Sequence, residues 1–211
     1  MGCAYLIDPA RRVLLGTLSA AIGIGVASIA AIAADRSSRE LLVAHEAMRN
    51  ERIDTSERGQ VQLLFADQSS LSIAPGSDVV INEFLYDPQT QTGNLTATVT
   101  TGLLRYVGGE ISRKQDVAFY TPGTVVSVRG GIIWIRVERG AGVDRGGGRT
   151  EVLFLSGERL CVTASGQSQC TTQLATVISS ARGEAPSAPV PVTTETVQTL
   201  FNSLQPTDGP N

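Results

Sequence analysis

The sequence predicts an all-β fold preceded by an N-terminal signal or anchor helix, and three observations carry the prediction. From Gln60 onward apolar and polar residues alternate with a period of two, as half-buried strands do. Strand-like runs recur roughly every ten residues, and clusters of Asp, Gly, Pro and Ser separate them. No alternation of strand and helix patterns appears, so a sandwich, a barrel and a solenoid are the candidate architectures.

At the N-terminus, Arg11 and Arg12 precede an almost uninterrupted run of apolar and small residues over 13–33. Residues 1–33 therefore read as a signal peptide or a membrane anchor. Ala31-Ile32-Ala33 offers small residues for cleavage before Ala34, whereas an apolar core of roughly 20 residues spans a bilayer if it is retained. The paired arginines favour the cytoplasmic side, so either outcome places the chain from Ala34 onward outside the cytoplasm. Around that pair, Pro9-Ala10-Arg11-Arg12-Val13-Leu14-Leu15 lacks the Ser/Thr and the Phe of a twin-arginine signal.

Residues 34–50 form a short helix or linker, in which Ser37-Ser38-Arg39-Glu40 resembles a capping box ahead of Leu41, Leu42, Ala44, Ala47 and Met48. The β domain covers 51–183. Val61, Leu63 and Phe65 mark one strand, Asp67-Gln68-Ser69 turns into Leu71-Ser72-Ile73, and Ala74-Pro75-Gly76-Ser77 is a second turn, because Pro presets φ and Gly accepts a positive φ. Val79-Val80-Ile81 follows, and residues 86–93 read as a hairpin tip. Residues 95–101 and 103–107 are strands split at Gly102, Gly108-Gly109 turns the chain, and Val117-Ala118-Phe119-Tyr120 enters a corner at Thr121-Pro122-Gly123. Residues 125–128 and 132–137 are rich in β-branched side chains, 140–148 reads as a mobile glycine-rich hairpin, and 151–155 with 159–162 is expected to form a hairpin about Ser156-Gly157.

Cys161 and Cys170 flank the small polar segment Ala164-Ser165-Gly166-Gln167-Ser168, so a hairpin there brings the sulfurs together, and an oxidising compartment would join them as a disulfide. A metal site is not expected, since two Cys and the single His45 cannot make a tetrahedral set. Cys3 leaves with the signal if cleavage occurs. The chain has 17 Lys and Arg against 20 Asp and Glu, and its arginines are scattered and mostly sit near acids, as in Glu51-Arg52, Glu57-Arg58 and Glu138-Arg139. The basic footprint of a nucleic-acid binder is missing. His45 lies in the linker, which leaves a Ser-His-Asp arrangement unsupported. No carboxylate pair is marked for a cleft, and 140–148 lacks the Lys-Ser/Thr ending of a phosphate loop. No catalytic residue and no cofactor is expected.

After Gly183 the composition shifts, and Ala185-Pro186-Ser187-Ala188-Pro189-Val190-Pro191 opens a Pro/Thr-rich tail over 184–211. A helix over 195–204 would place Val197, Leu200, Phe201 and Leu204 on one side. Its Thr content favours a loosely packed tail over a docking peptide.

The order Glu51-Arg52-Ile53-Asp54-Thr55, Gly59-Gln60-Val61-Gln62-Leu63-Leu64-Phe65-Ala66-Asp67-Gln68-Ser69-Ser70-Leu71, Ile73-Ala74-Pro75-Gly76-Ser77 and Thr121-Pro122 through Arg129-Gly130-Gly131 resembles the FecR domain family over roughly residues 46–137. The resemblance implies a bacterial envelope protein with a twisted, solenoid-like or roll-like β lobe. In the namesake regulators that lobe relays a signal from an outer-membrane receptor to a cytoplasmic sigma factor. Only about ten residues precede the apolar run here, too few for a sigma-binding domain, and nothing after Gly183 looks like a receptor-contacting lobe.

Turn chemistry accounts for the motif residues Asp67, Pro75, Gly76, Thr121, Pro122, Gly130 and Gly131. Arg129 has two readings: a clamp onto Asp67 or Asp78, or a site for a ligand carboxylate. The chain is thus expected to be an exported, non-enzymatic binding protein of the periplasm or envelope, possessing a protein or ligand partner there, with membrane contact only through the N-terminal segment. A self-assembling, adhesive β-solenoid is the alternative reading, and a carbohydrate-binding module is the second.

Overall fold

The structure is a computed structural model that describes residues 4–6, 50–140 and 148–203. The predicted signal or anchor (apart from Ala4–Leu6), the capping-box helix with His45 and most of the glycine-rich stretch fall outside those residues. Strand is the dominant state. In chain order the elements are β1 (Ala4–Leu6), β2 (Glu51–Asp54), β3 (Val61–Phe65), β4 (Ser70–Ile73), β5 (Asp78–Asp87), β6 (Thr92–Val107), α1 (Glu110–Lys114), β7 (Val117–Thr121), β8 (Thr124–Arg129), β9 (Ile132–Val137), β10 (Thr150–Ser156), β11 (Arg159–Ala164), β12 (Gln167–Thr171), β13 (Thr176–Ser180), β14 (Val190–Pro191) and α2 (Thr194–Ser203).

All the strands belong to one fourteen-stranded sheet that curls over on itself about β6. β6 is far longer than an ordinary strand, and the predicted split at Gly102 is a hinge within it. Gly102 has φ +103°, and a Cβ there would overlap Ser77. Before the hinge β6 pairs with β5 and, in parallel, with β7; after it, β6 pairs with β4 and β9. Half-sheet A thus runs β1-β3-β4-β6-β9-β10-β13-β14, and half-sheet B runs β2-β5-β6-β7-β8-β11-β12.

Alternation along the strands decides which residues meet between the halves. In β8, Val126 and Val128 are buried while Val125 and Ser127 are only half-buried. Phe65 from half-sheet A stacks 4.7 Å from Phe84 of half-sheet B, and Tyr106 lies 5.1 Å from Phe119. A single apolar cluster containing Leu71, Ile73, Val99, Ile133, Ile135, Val152 and Val162 fills the interior. Burial there pushes the Tyr106 phenol pKa well above its usual value.

The expected hairpin about Ser156-Gly157 does not form. β10 pairs with β9 and β13, whereas β11 pairs with β8 and β12, so the chain crosses from half-sheet A to half-sheet B at that point. β8 and β9 cross the opposite way at Gly130-Gly131, and the two crossings lie against each other. Glu158 N–H donates to Arg129 C=O at 2.9 Å, and a Cβ on Gly131 would overlap the Ser156 carbonyl. Backbone contact this close leaves no room for a side chain at Gly131 or Gly157, which local turn chemistry does not reveal.

Candidate functional site

The motif residues hold the ends of the sheet. Asp67 is fully buried in the β3–β4 turn, where its Oδ1 accepts Ser69 N–H at 3.1 Å and Ser69 Oγ–H at 2.5 Å. Its Oδ2 accepts Ile111 N–H at 3.4 Å and its carbonyl accepts Glu110 N–H at 2.8 Å, which ties the turn to α1. Pro75-Gly76 forms a corner in which Gly76 has φ +67° and donates to Ser56 C=O, while the Ser77 and Thr55 hydroxyls both reach Ala74 C=O. Pro122 and Gly123 (φ +83°) connect the paired residues Thr121 and Thr124. The Thr121 hydroxyl meets that of Thr150 at 2.8 Å across the two halves.

Arg129 contacts neither Asp67 nor Asp78. Its Nε donates to Asp116 Oδ1 at 2.9 Å, and Arg159, its cross-strand partner, donates to the other oxygen at 2.9 Å. The β7–β8 register explains the choice: Val117 faces Val128, which sets Asp116 alongside Arg129. Asp78 lies at the start of β5 and is held by two hydrogen bonds from Arg52 at 3.0 and 2.8 Å. All three members of the Asp116 cluster remain partly exposed, and a pair so wetted contributes at most about 1 kcal/mol. Cys161 faces Cys170 directly in the β11–β12 hairpin and the two are bonded, an arrangement consistent with an oxidising compartment.

The motifs do not mark a second apolar cluster, which lies outside the interior. On the outer face of half-sheet A, Ser72, Arg105, Trp134, Leu153 and Val177 follow one another in register across β4, β6, β9, β10 and β13. Ala74, Leu103, Trp134 and Leu153 form a second buried cluster, joined by Val177 and, from the C-terminal segment, by Val192 and Val197. Trp134 is only 1% exposed although it points away from the interior. The tail is therefore a cover: β14 pairs with β13 and α2 lies over the strands. Between them is a groove of 240 Å³ lined by Leu103, Trp134, Leu153, Arg136, Glu151 and the α2 residues Thr196 and Thr199, among others.

Arg105 stands directly across from Trp134, and its Nε is buried without a hydrogen-bond partner. Burial pushes its pKa below the usual guanidinium value. The available signal for this face was the unbroken apolar runs Ile132-Ile133-Trp134-Ile135 and Val152-Leu153-Phe154-Leu155, since a strand that is apolar at every position is buried on both sides.

Among the described residues no group of three His, Cys, Asp or Glu side chains is arranged to hold a metal ion, and no helix is long and apolar enough to cross a membrane. Two crystal structures of a putative anti-sigma factor from Parabacteroides distasonis, at 2.50 Å and 1.65 Å resolution, resemble this one with TM-scores of 0.52 and 0.51 and sequence identities of 10% and 9%. The likeness is one of fold. It covers 72% of this chain and 64% of each of those chains. No family model and no curated protein matches the sequence.

Proposed function

We propose that this chain is an exported, non-enzymatic regulatory protein of the bacterial envelope that uses a FecR-like, roll-shaped β lobe to hold a protein partner. The observation that carries the reading is the fold likeness to putative anti-sigma factors, proteins of a regulatory class. The motif series from Glu51 to Gly131 agrees with it, because those residues make the turns and crossings on which this lobe depends. The Cys161–Cys170 bond and the apolar run over 13–33 support export. With the motif residues committed to turns and crossings, this reading assigns partner binding to the surface faces of the lobe.

In-cell crosslinking of a C-terminally tagged full chain, followed by affinity capture and mass spectrometry of the envelope fraction, tests this reading. Capture of an outer-membrane receptor or an inner-membrane regulator is the expected result. Recovery of the protein crosslinked only to itself would replace it with the self-assembling alternative.

A further inference from the structure

A permanent cover on a sheet face is normally packed as densely as a protein interior. The cover on half-sheet A is not, because the 240 Å³ groove runs beneath α2 and the helix offers it the short polar side chains of Thr196 and Thr199. α2 follows a two-residue strand that contains Pro191. The Thr199 hydroxyl donates to Glu195 C=O and Thr196 N–H donates to the Thr193 hydroxyl, bonds internal to the helix and its N-terminal cap. Such bonds survive when the helix moves as a unit. Arg105 is not itself a lining residue, but it pairs in register with Trp134, which is, and it is a partly desolvated guanidinium with an unused donor; Arg and Trp are among the residue types that most often anchor interfaces.

We propose that this face is a helix-docking groove, occupied in cis by α2 and taken over by an amphipathic helix of a partner protein whose carboxylate pairs with Arg105. The inference rests on the protein-partner reading above. The occupant is a helix because the face already seats one, whose Val197 packs against the cluster that contains Trp134 and Leu153. It is acidic because the charged groups placed on this stretch of the face are Arg105 and Arg136 against Glu151 alone. A cis occupant lowers the apparent affinity for the partner in proportion to its own occupancy, so partners with weaker apolar contacts are excluded.

The test uses the full chain, in which Trp134 is the only tryptophan and reports on the groove directly. The probes are a synthetic peptide of residues 192–206 and the same peptide carrying Thr199→Glu. In Val197→Asp protein, where α2 is loosened, Trp134 emission should become open to acrylamide quenching, and either peptide should restore protection in a saturable manner. The Thr199→Glu peptide should bind about tenfold tighter, and adding Arg105→Gln should abolish that preference. Thr196→Leu, which fills the groove from the cis side, should lower the affinity of both peptides relative to the unaltered chain, and it tests the idea even where Val197→Asp perturbs folding. Absence of saturable binding in every form, or an acidic preference that survives Arg105→Gln, would overturn the proposal. Peptide binding as described, with only self-crosslinking in cells, leaves the groove standing and removes the envelope partner. Partner capture without peptide binding removes the groove alone.

Discussion

The two outer faces of this folded sheet are made from the same kind of strand, yet they meet solvent differently. On half-sheet A the outward row Arg105, Trp134, Leu153 and Val177 is largely apolar and a helix lies over it. On half-sheet B the corresponding row is Val80, Thr98, Tyr120, Val125, Thr163 and Ser168, rich in hydroxyls and left uncovered by the described residues, with Tyr120 43% exposed. The A face gains stability by burying a second apolar cluster, which obliges the chain to supply a cover. The B face needs none, because threonine and serine remain hydrated on a pleated surface, and its outermost hairpin is fastened covalently by Cys161 and Cys170 instead.

Trp134→Ala gives the largest expected effect. The indole is buried between the strands and the C-terminal cover, so its removal leaves a cavity and should cost about 3–5 kcal/mol in urea denaturation. α2 should also lose its seat, visible as a loss of helical signal in circular dichroism. A cost below about 1 kcal/mol would show that the outer face of half-sheet A is as dispensable as that of half-sheet B.

The staple on the B face comes next. Replacing both Cys161 and Cys170 by Ser opens a loop with a sequence separation of 9, which by the chain-entropy argument should lower stability by about 2–3 kcal/mol. Because β12 is the outermost strand of its half-sheet, proteolysis within 165–172 should accelerate before the rest of the domain becomes sensitive. Uniform sensitivity along the chain would mean that the bond holds the whole sheet and not one edge.

Much of this architecture is legible in the sequence, and the illegible part has a physical cause. Turns advertise themselves locally: Asp67, Pro75-Gly76 and Pro122-Gly123 have side chains or φ preferences that act within a few residues, so β3, β4, β7, β8 and β9 lie close to where the sequence puts them, whereas β5 runs on past Ile81 to Asp87 and β6 continues through Gly102. Pairing across the molecule does not advertise itself. Ser156-Gly157 has the composition of a hairpin turn, but Gly130-Gly131, distant in sequence, occupies the space beside it and turns the segment into a crossing. Arg129 shows the same limit, since its acid is chosen by the β7–β8 register and not by proximity along the chain. The cover on half-sheet A was obscured by composition: the Thr-rich tail has low intrinsic helix propensity, and α2 forms where Val197 can pack on Trp134.

Arg129→Ala is expected to lower stability by no more than about 1 kcal/mol, because Arg159 still satisfies Asp116 and all three groups are wetted. High salt should reduce even that difference. A loss several times larger in a thermal melt would show that the Asp116 cluster, and not the disulfide alone, secures the outer strands of half-sheet B.

Tyr120→Ser has the smallest expected effect and tests the open face most directly. Its ring lies outward between Thr98 and Val125, so little apolar burial is lost and the change should stay within about 0.5 kcal/mol. Read beside Trp134→Ala, it measures the same operation, deletion of an outward aromatic ring, on a bare face and on a covered one. If Tyr120→Ser instead cost as much as Trp134→Ala, half-sheet B would have to be covered in solution by something other than the described residues, and sedimentation at increasing protein concentration would show whether a second copy of the chain provides it.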